Sequence, residues 1–360
     1  MKIAIIDADL IGRKRHRFPN LACMKISAHH KAAGDTVELK TDYDGLSDYD
    51  AVYLSKVFTD TPVPDEVLQL NHVSYGGTGF YYDKAPCLST TIEHHMPDYH
   101  LYDEWVSEKI RVGGKPRDFA YYTNYSIGFL TRGCFRKCDF CVNKNYDCVS
   151  VHSPLDEFYD PARPKICLLD DNFFGCPKWR ELLSELKQQN KPFQFKQGLD
   201  ERLLTGEKSA ALFSSKYDGD YIFAFDNVAD ARLIEEKILL ARNYTDAVMK
   251  FYCFCGFDRN DRWDDDFWRQ DIFDLLFRIE ILMRNRCLPY VMRFARYTES
   301  PYRGMYVTIA RWCNQPSFFK KKSLREFAIA NGTGSACYRY LADFEQRFPK
   351  VTPYLDMKFK

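Results

Sequence analysis

No stretch of this 360-residue sequence stays apolar for the roughly 20 residues that a membrane-spanning helix needs, so no such helix is expected. The order of a secretory leader is missing as well. In MKIAIIDADLIGRKRHR the basic residues follow a short apolar run that already holds two aspartates, the reverse of a signal peptide, and a cytoplasmic location is the expectation. An excess of one charge is also lacking. The net charge is +1, which gives no whole-molecule field of the kind a nucleic-acid binder exploits. Thirteen cysteines are too few for a disulfide scaffold in a chain this long, and their number is odd. Most are expected as free thiols, so a tight group of them points toward a metal. There is no internal repeat and no low-complexity tract. What remains is an ordinary soluble balance, 46% apolar and 28% charged, with aromatic residues at 16% that suit a lined cavity or a large core equally well.

The length suggests more than one domain. The first hundred residues read as a small α/β unit: Lys2–Ile6, Thr36–Leu39, Ala51–Ser55 and His72–Tyr75 are strand-like, and 20–33 suits a helix with Asn20 as N-cap and Gly34 beyond its end. Residues 94–124 lose this rhythm and read as a crossing. Six further strand candidates then follow: Tyr125–Leu130, Ile166–Leu169, Phe193–Gln197, Tyr221–Phe225, Val248–Cys255 and Tyr290–Phe294. Apolar faces such as Trp179/Leu182/Leu183/Leu186 and Ile272/Leu275/Leu276/Ile279 place helices between most of them. The gap after the first strand offers only 154–159 as a helical start. The expected architecture is α/β: a Rossmann-like βαβ domain over 1–110, a partial (β/α)6 TIM-like barrel over 111–296, and a C-terminal extension over 297–360 in which 305–310 reads as a strand.

The chemistry concentrates in TRGCFRKCDFC, residues 131–141. Cys134, Cys138 and Cys141, spaced Cys-x3-Cys-x2-Cys, can fold round one corner of an iron–sulfur cube, because thiolates are soft, negatively charged donors. Three protein ligands leave one iron open to a small chelating ligand. The loop begins where the first barrel strand ends, the end at which such barrels carry their sites. A structural zinc knuckle is the competing reading, with Cys148 as a fourth ligand in a non-catalytic binding module. Zinc accounts for neither the six-strand pattern nor the aromatic Phe140 before the third cysteine.

These residues resemble the signature of the radical S-adenosylmethionine superfamily, over about residues 120–296. The resemblance implies a 4Fe-4S cluster on the three cysteines, with S-adenosylmethionine chelating the open iron. Reductive cleavage there releases methionine and a 5′-deoxyadenosyl radical that abstracts hydrogen from a substrate. It further implies cofactor contacts at later strand ends. In LLDDNFFG, Asp170 and Asp171 are candidates to face the methionine amine, with a turn role as the alternative. In KQGLDERLLT, Gln197, Asp200 and Arg202 follow the third strand, the arginine suiting a carboxylate. Asp226 ends the fourth strand, where it could equally cap the next helix. Gly256 ends the fifth, where backbone would approach the adenine, and Arg293 lies on the sixth. Phe140 completes the cofactor-binding set. Cys253 and Cys255 share one strand face and read as core.

The N-terminal unit resembles a cobalamin-binding domain, with Ser55 and Gly76-Gly77 at strand ends. The family's cobalt-ligating motif is Asp-x-His-x-x-Gly. Here Asp7-Ala8-Asp9-Leu10-Ile11-Gly12 carries aspartate where histidine belongs, and a carboxylate replaces imidazole poorly at cobalt. Some relatives bind cobalamin without that histidine, so cobalamin binding stays open, with a structural or substrate-covering domain as the alternative. The run from Arg13 to Arg17 suits a phosphate or a solvated loop. The resemblance also implies an external low-potential electron donor such as flavodoxin or ferredoxin. It names neither the substrate nor the outcome, which could be methyl transfer, rearrangement or oxidation.

Overall fold

The apolar run after Met1 becomes the central strand of a parallel sheet in the computed structural model, which describes residues 1–359. Strands β1 (Lys2–Asp7), β2 (Thr36–Lys40), β3 (Ala51–Ser55) and β4 (Val73–Gly76) lie in the order β2-β1-β3-β4, all parallel. Both faces of β1 are covered, which is why it reads as continuously apolar rather than alternating. Ile3 and Ile5 pack on the helix Leu21–Ala32 through Cys23, Met24 and Ile26. Ala4 and Ile6 join Leu46, Val52, Leu54 and Val67 on the other face. Asn20 caps the helix as expected, its side chain accepting from Cys23 N.

Residues 94–124 are part of this core. Tyr99, Leu101, Tyr102, Val106, Phe119 and Tyr122 are buried against Ile3 and Ile5, and the helix Asp103–Arg111 lies among them. Aromatic residues spaced irregularly through short helical turns show no period, so the sequence reads as a crossing while the chain closes one face of the sheet.

The chain divides into two compact units after Lys196. The first unit continues with β5 (Tyr125–Gly128), β6 (Thr131–Arg132), β7 (Ser150–Val151), β8 (Lys165–Leu168) and β9 (Phe193–Phe195). Strands β5, β8 and β9 form a parallel sheet in that order. Between β5 and β8 the one helical element is a single 3-10 turn, Leu155–Glu157. The helix Trp179–Gln188 links β8 to β9, burying Trp179, Leu182, Leu183 and Leu186. The short antiparallel pair β6–β7 has the register Thr131↔Val151 and Arg132↔Ser150, and it closes the base of the cysteine loop.

The second unit holds a second parallel sheet, β10 (Tyr221–Ala224), β11 (Met249–Cys255) and β12 (Leu288–Arg293), in the order β10-β11-β12. The helices Gly206–Phe213, Ala231–Arg242 and Asp265–Arg284 alternate with these strands. Residues 305–310 are not a strand; they lie inside the helix Arg303–Cys313. The β-branched run Val307–Thr308–Ile309 favours extension. The burial of Met305, Tyr306, Ile309, Ala310, Trp312 and Cys313 shows the helical period that outweighs it. The residue after this helix, Asn314, accepts from Val291 N at 2.7 Å and donates to Val291 O at 3.0 Å. It thereby covers the open edge of β12. No helix among the described residues is long and apolar enough to cross a membrane.

Candidate metal and cofactor site

The cysteine loop is shaped before any ligand is considered. Gly133 enters it with φ +93°, and a Cβ there would stand 2.4 Å from the Cys148 carbonyl oxygen. Only glycine allows that approach. Within the loop, Cys141 N–H donates to Cys138 O at 2.9 Å. Lys137 Nζ gathers the return strand, donating to Lys144 O at 2.9 Å and Tyr146 O at 2.5 Å and pairing with Asp147 at 2.7 Å.

Three consecutive residues after β8 brace this loop from one side. Asp170, 1% exposed, accepts from Leu130 N at 3.2 Å, Thr131 N at 2.7 Å and Thr131 Oγ1 at 2.6 Å, tying the end of β8 to the end of β5. Asp171 accepts from Gly133 N at 2.9 Å and from Asn143 Nδ2 at 2.6 Å, so it joins the two flanks of the cysteine segment. Asn172 Nδ2 donates to Cys134 Sγ at 3.3 Å. Both aspartates anticipated as cofactor contacts are thus committed to holding the loop. Burial pushes Asp170 up to about 7 against the opposing hydrogen bonds from Thr131. Asp171 is raised by burial too, with Arg132 and the Gly133 N–H pulling it back.

Donors also converge on the sulfurs. Arg136 N–H points at Cys134 Sγ and Asn143 N–H at Cys141 Sγ, each at 3.4 Å. Such N–H donors favour the thiolate form that a metal requires. Burial raises the Cys141 thiol, and the Asn143 N–H opposes it. All three cysteines are partly accessible, and Cys148 is exposed. Among the described residues, no three His, Cys, Asp or Glu side chains stand close enough to grip a single ion. A zinc ion would need its sulfurs within about 4 Å of one another, a demand that ligands to separate irons of a cube do not share.

Asn172, Asn143, Thr131 and Gly133 are neighbours of the cysteine loop and its brace that motif reasoning passed over. The adjacency of Asn172 to the aspartate pair was the available signal. Asn172 has a second property: its Oδ1 is buried without a hydrogen-bond partner.

The second unit carries the remaining candidates. Arg202 is bound within its own unit, to Asp200 at 2.7 Å and to Asp230 at 2.8 Å. Asp226 accepts from Phe254 N at 2.8 Å, joining the end of β10 to β11, and burial raises its carboxyl. Gly256 has φ +76°, and its N–H donates to Asp271 at 2.8 Å. Gln197 is exposed. Arg293 lies 4.3 Å over the Tyr297 ring and has no acidic partner among the described residues. Cys253 and Cys255 are buried on one face of β11, as core residues would be.

In the N-terminal sheet, Asp9 is fully buried. Its carboxylate accepts from Val57 N at 2.6 Å and from Thr61 Oγ1, so it is occupied by the segment that follows β3. Arg13 pairs with Asp60 at 2.6 Å.

Two solved structures of the radical S-adenosylmethionine methyltransferase TsrM from Kitasatospora setae share this fold. Each has a TM-score of 0.50 and 10% sequence identity over 81% of this chain, with 74% and 72% of the TsrM chains covered. One holds cobalamin and a 4Fe-4S cluster; the other holds the tryptophan substrate and the analogue aza-SAM. At that identity the likeness is one of fold, mixed α/β with parallel sheets. No family model matches the chain, and no curated protein matches it in sequence.

Proposed function

We propose that this chain is a radical S-adenosylmethionine enzyme in which Cys134, Cys138 and Cys141 hold a 4Fe-4S cluster. The six parallel strands β5 and β8–β12 would be those of a partial (β/α)6 barrel, a reading that the likeness to TsrM supports. The observation that carries the proposal is the brace of Asp170, Asp171 and Asn172, which fixes the cysteine loop at a strand end and leaves one buried carbonyl oxygen beside Cys134 without a donor. Main-chain and side-chain N–H groups aimed at two of the sulfurs suit thiolate ligands. When bound, the cluster would supply the electron that cleaves the sulfonium of S-adenosylmethionine and opens radical chemistry on a substrate.

The chain's own residues have separate tasks in this reading. Asp170 and Asp171 keep the loop in register with β5 and β8. Asn172, rather than either aspartate, offers a free acceptor to the amine of the methionine portion. Phe140, directly before the third cysteine, would flank the cluster. In the second unit, Arg293 is the cation left for a carboxylate and Gln197 the accessible polar group, while Arg202 and Asp226 hold strand ends together. The electron would come from a low-potential donor such as a flavodoxin or ferredoxin.

A corrinoid held through the motif after β1 does not fit these residues. Asp9 stands at the histidine position with its oxygens engaged by Val57 and Thr61, so cobalt would find no axial side chain there. No step is assigned to cobalamin.

The test is product analysis after anaerobic iron–sulfide loading, with dithionite and S-adenosylmethionine. The proposal expects methionine with 5′-deoxyadenosine, or S-adenosylhomocysteine if the reaction is methyl transfer. Failure to turn over S-adenosylmethionine above the protein-free control, by a chain that has taken up iron, would overturn it.

A further inference from the structure

The di-glycine after β4 leads into the most direct contact between the N-terminal sheet and the cysteine loop. A Cβ on Gly77 would stand 2.3 Å from Lys56 O, and one on Gly79 would stand 2.6 Å from Lys56 Cγ. Both glycines therefore admit the chain's own backbone. Gly79 N–H donates to Lys56 O at 3.0 Å, and Thr78 Oγ1 donates to Val57 O at 3.0 Å. Lys56 Nζ lies 4.6 Å over the Phe80 ring and donates to Thr61 O at 3.0 Å. Asp9 fastens the same segment from the side of β1. The short helix Thr78–Tyr81 is thus seated firmly at the sheet's C-terminal edge.

The next residue leaves this seat in a conformation that side chains rarely adopt. Tyr82 has φ +52°, a backbone state that persists only where its surroundings enforce it. Its hydroxyl donates to Phe140 O at 2.8 Å, the carbonyl directly before Cys141. The following residue adds two contacts to the same loop: Asn145 Nδ2 donates to Asp83 O at 2.7 Å, and Lys144 Nζ lies 3.5 Å from the Asp83 carboxylate.

We propose that Tyr82 is a positioning residue for the cysteine loop and that the N-terminal domain serves as a clamp on that loop. The assignment rests on the reading of Cys134, Cys138 and Cys141 as cluster ligands for its consequence, although the contacts themselves do not. Strain held at Tyr82 and a phenol placed on the peptide before the third cysteine set where Cys141 stands relative to Cys138. Asp170 to Asn172 hold the loop at Leu130, Thr131, Gly133, Cys134 and Asn143, while Tyr82 and Asp83 hold it at Phe140, Lys144 and Asn145.

Tyr82→Phe removes only the hydroxyl. In the full-length, iron-free protein, amide exchange over 138–147 should quicken by about fivefold, the equivalent of one lost hydrogen bond. Tyr81→Phe is the control, because the Tyr81 ring stacks with Tyr75, 6.0 Å away, rather than with the loop. It should leave exchange at the wild-type rate. In anaerobically loaded protein, Tyr82→Phe should release iron to a chelator several-fold faster than wild type. Wild-type exchange over 138–147 in Tyr82→Phe overturns the clamp. A wild-type chain that takes up no iron would instead sink the cluster reading, while quickened exchange in the iron-free variant would still uphold the clamp.

Discussion

Gly133→Ala isolates how tightly the cysteine loop is built. A left-handed backbone costs a non-glycine residue about 1–2 kcal/mol. At Gly133 the new Cβ would also meet the Cys148 carbonyl at 2.4 Å and the Tyr146 ring at 3.0 Å, and relieving such overpacking adds about 1–3 kcal/mol. The expected total is roughly 2–5 kcal/mol, applied where the cysteine loop leaves the two-residue strand β6. Gly113 is the matched control: its φ is +102°, but nothing lies within 4 Å of a Cβ built there. Gly113→Ala should cost only the backbone part. Urea unfolding gives the stability of each variant, and iron uptake after anaerobic loading reports the loop directly. Gly133→Ala should lose most of its iron while Gly113→Ala keeps it. Equal stability and equal iron in the two variants would refute the argument that the approach of Cys148 to Gly133 shapes the site.

Asn172→Ala should keep most of its iron but weaken S-adenosylmethionine binding about tenfold, the scale of a hydrogen bond to a charged group; the change in the reduced cluster's electron paramagnetic resonance on titrating the cofactor measures it. Arg202→Met should cost about 1–3 kcal/mol, since Asp200 and Asp230 lose their shared cation, whereas Arg293→Met should leave the urea midpoint in place and weaken cofactor binding. Burial holds Asp7 and Asp170 up at about 7, while an unfolded aspartate ionises near 4. Between those values the unfolded chain has lost a proton that the folded chain keeps, so stability falls as pH rises from about 4 to 7, by at most about 4 kcal/mol per group. Asp7→Asn should flatten its share of that slope in unfolding midpoints taken from pH 4.5 to 8.

The strands of both halves were legible because parallel strands buried on two faces read as short apolar runs, as in Lys2–Ile6. The cysteine spacing stands out for a different reason: it is local, so no fold is needed to see it. What escaped depends on partners far apart in sequence. Arg202 looks free in KQGLDERLLT, yet Asp230, 28 residues on, takes its guanidinium. The aspartates of LLDDNFFG look like ligands, yet Thr131 and Gly133, 39 and 38 residues earlier, claim them. Gly76-Gly77 matches a ligand-binding pattern, while the Lys56 backbone fills the space beside Gly77. Residues 305–310 were misread because local β-propensity competes with a helical period visible only over 303–313.

Metal content across the four loop cysteines is the most direct test. Anaerobically loaded wild-type protein should carry about four iron and four sulfide per chain. Cys134→Ala, Cys138→Ala and Cys141→Ala should each lose them, and Cys148→Ala should not. Stoichiometric zinc that withstands iron loading, or a Cys148→Ala variant as empty as the other three, would contradict the account.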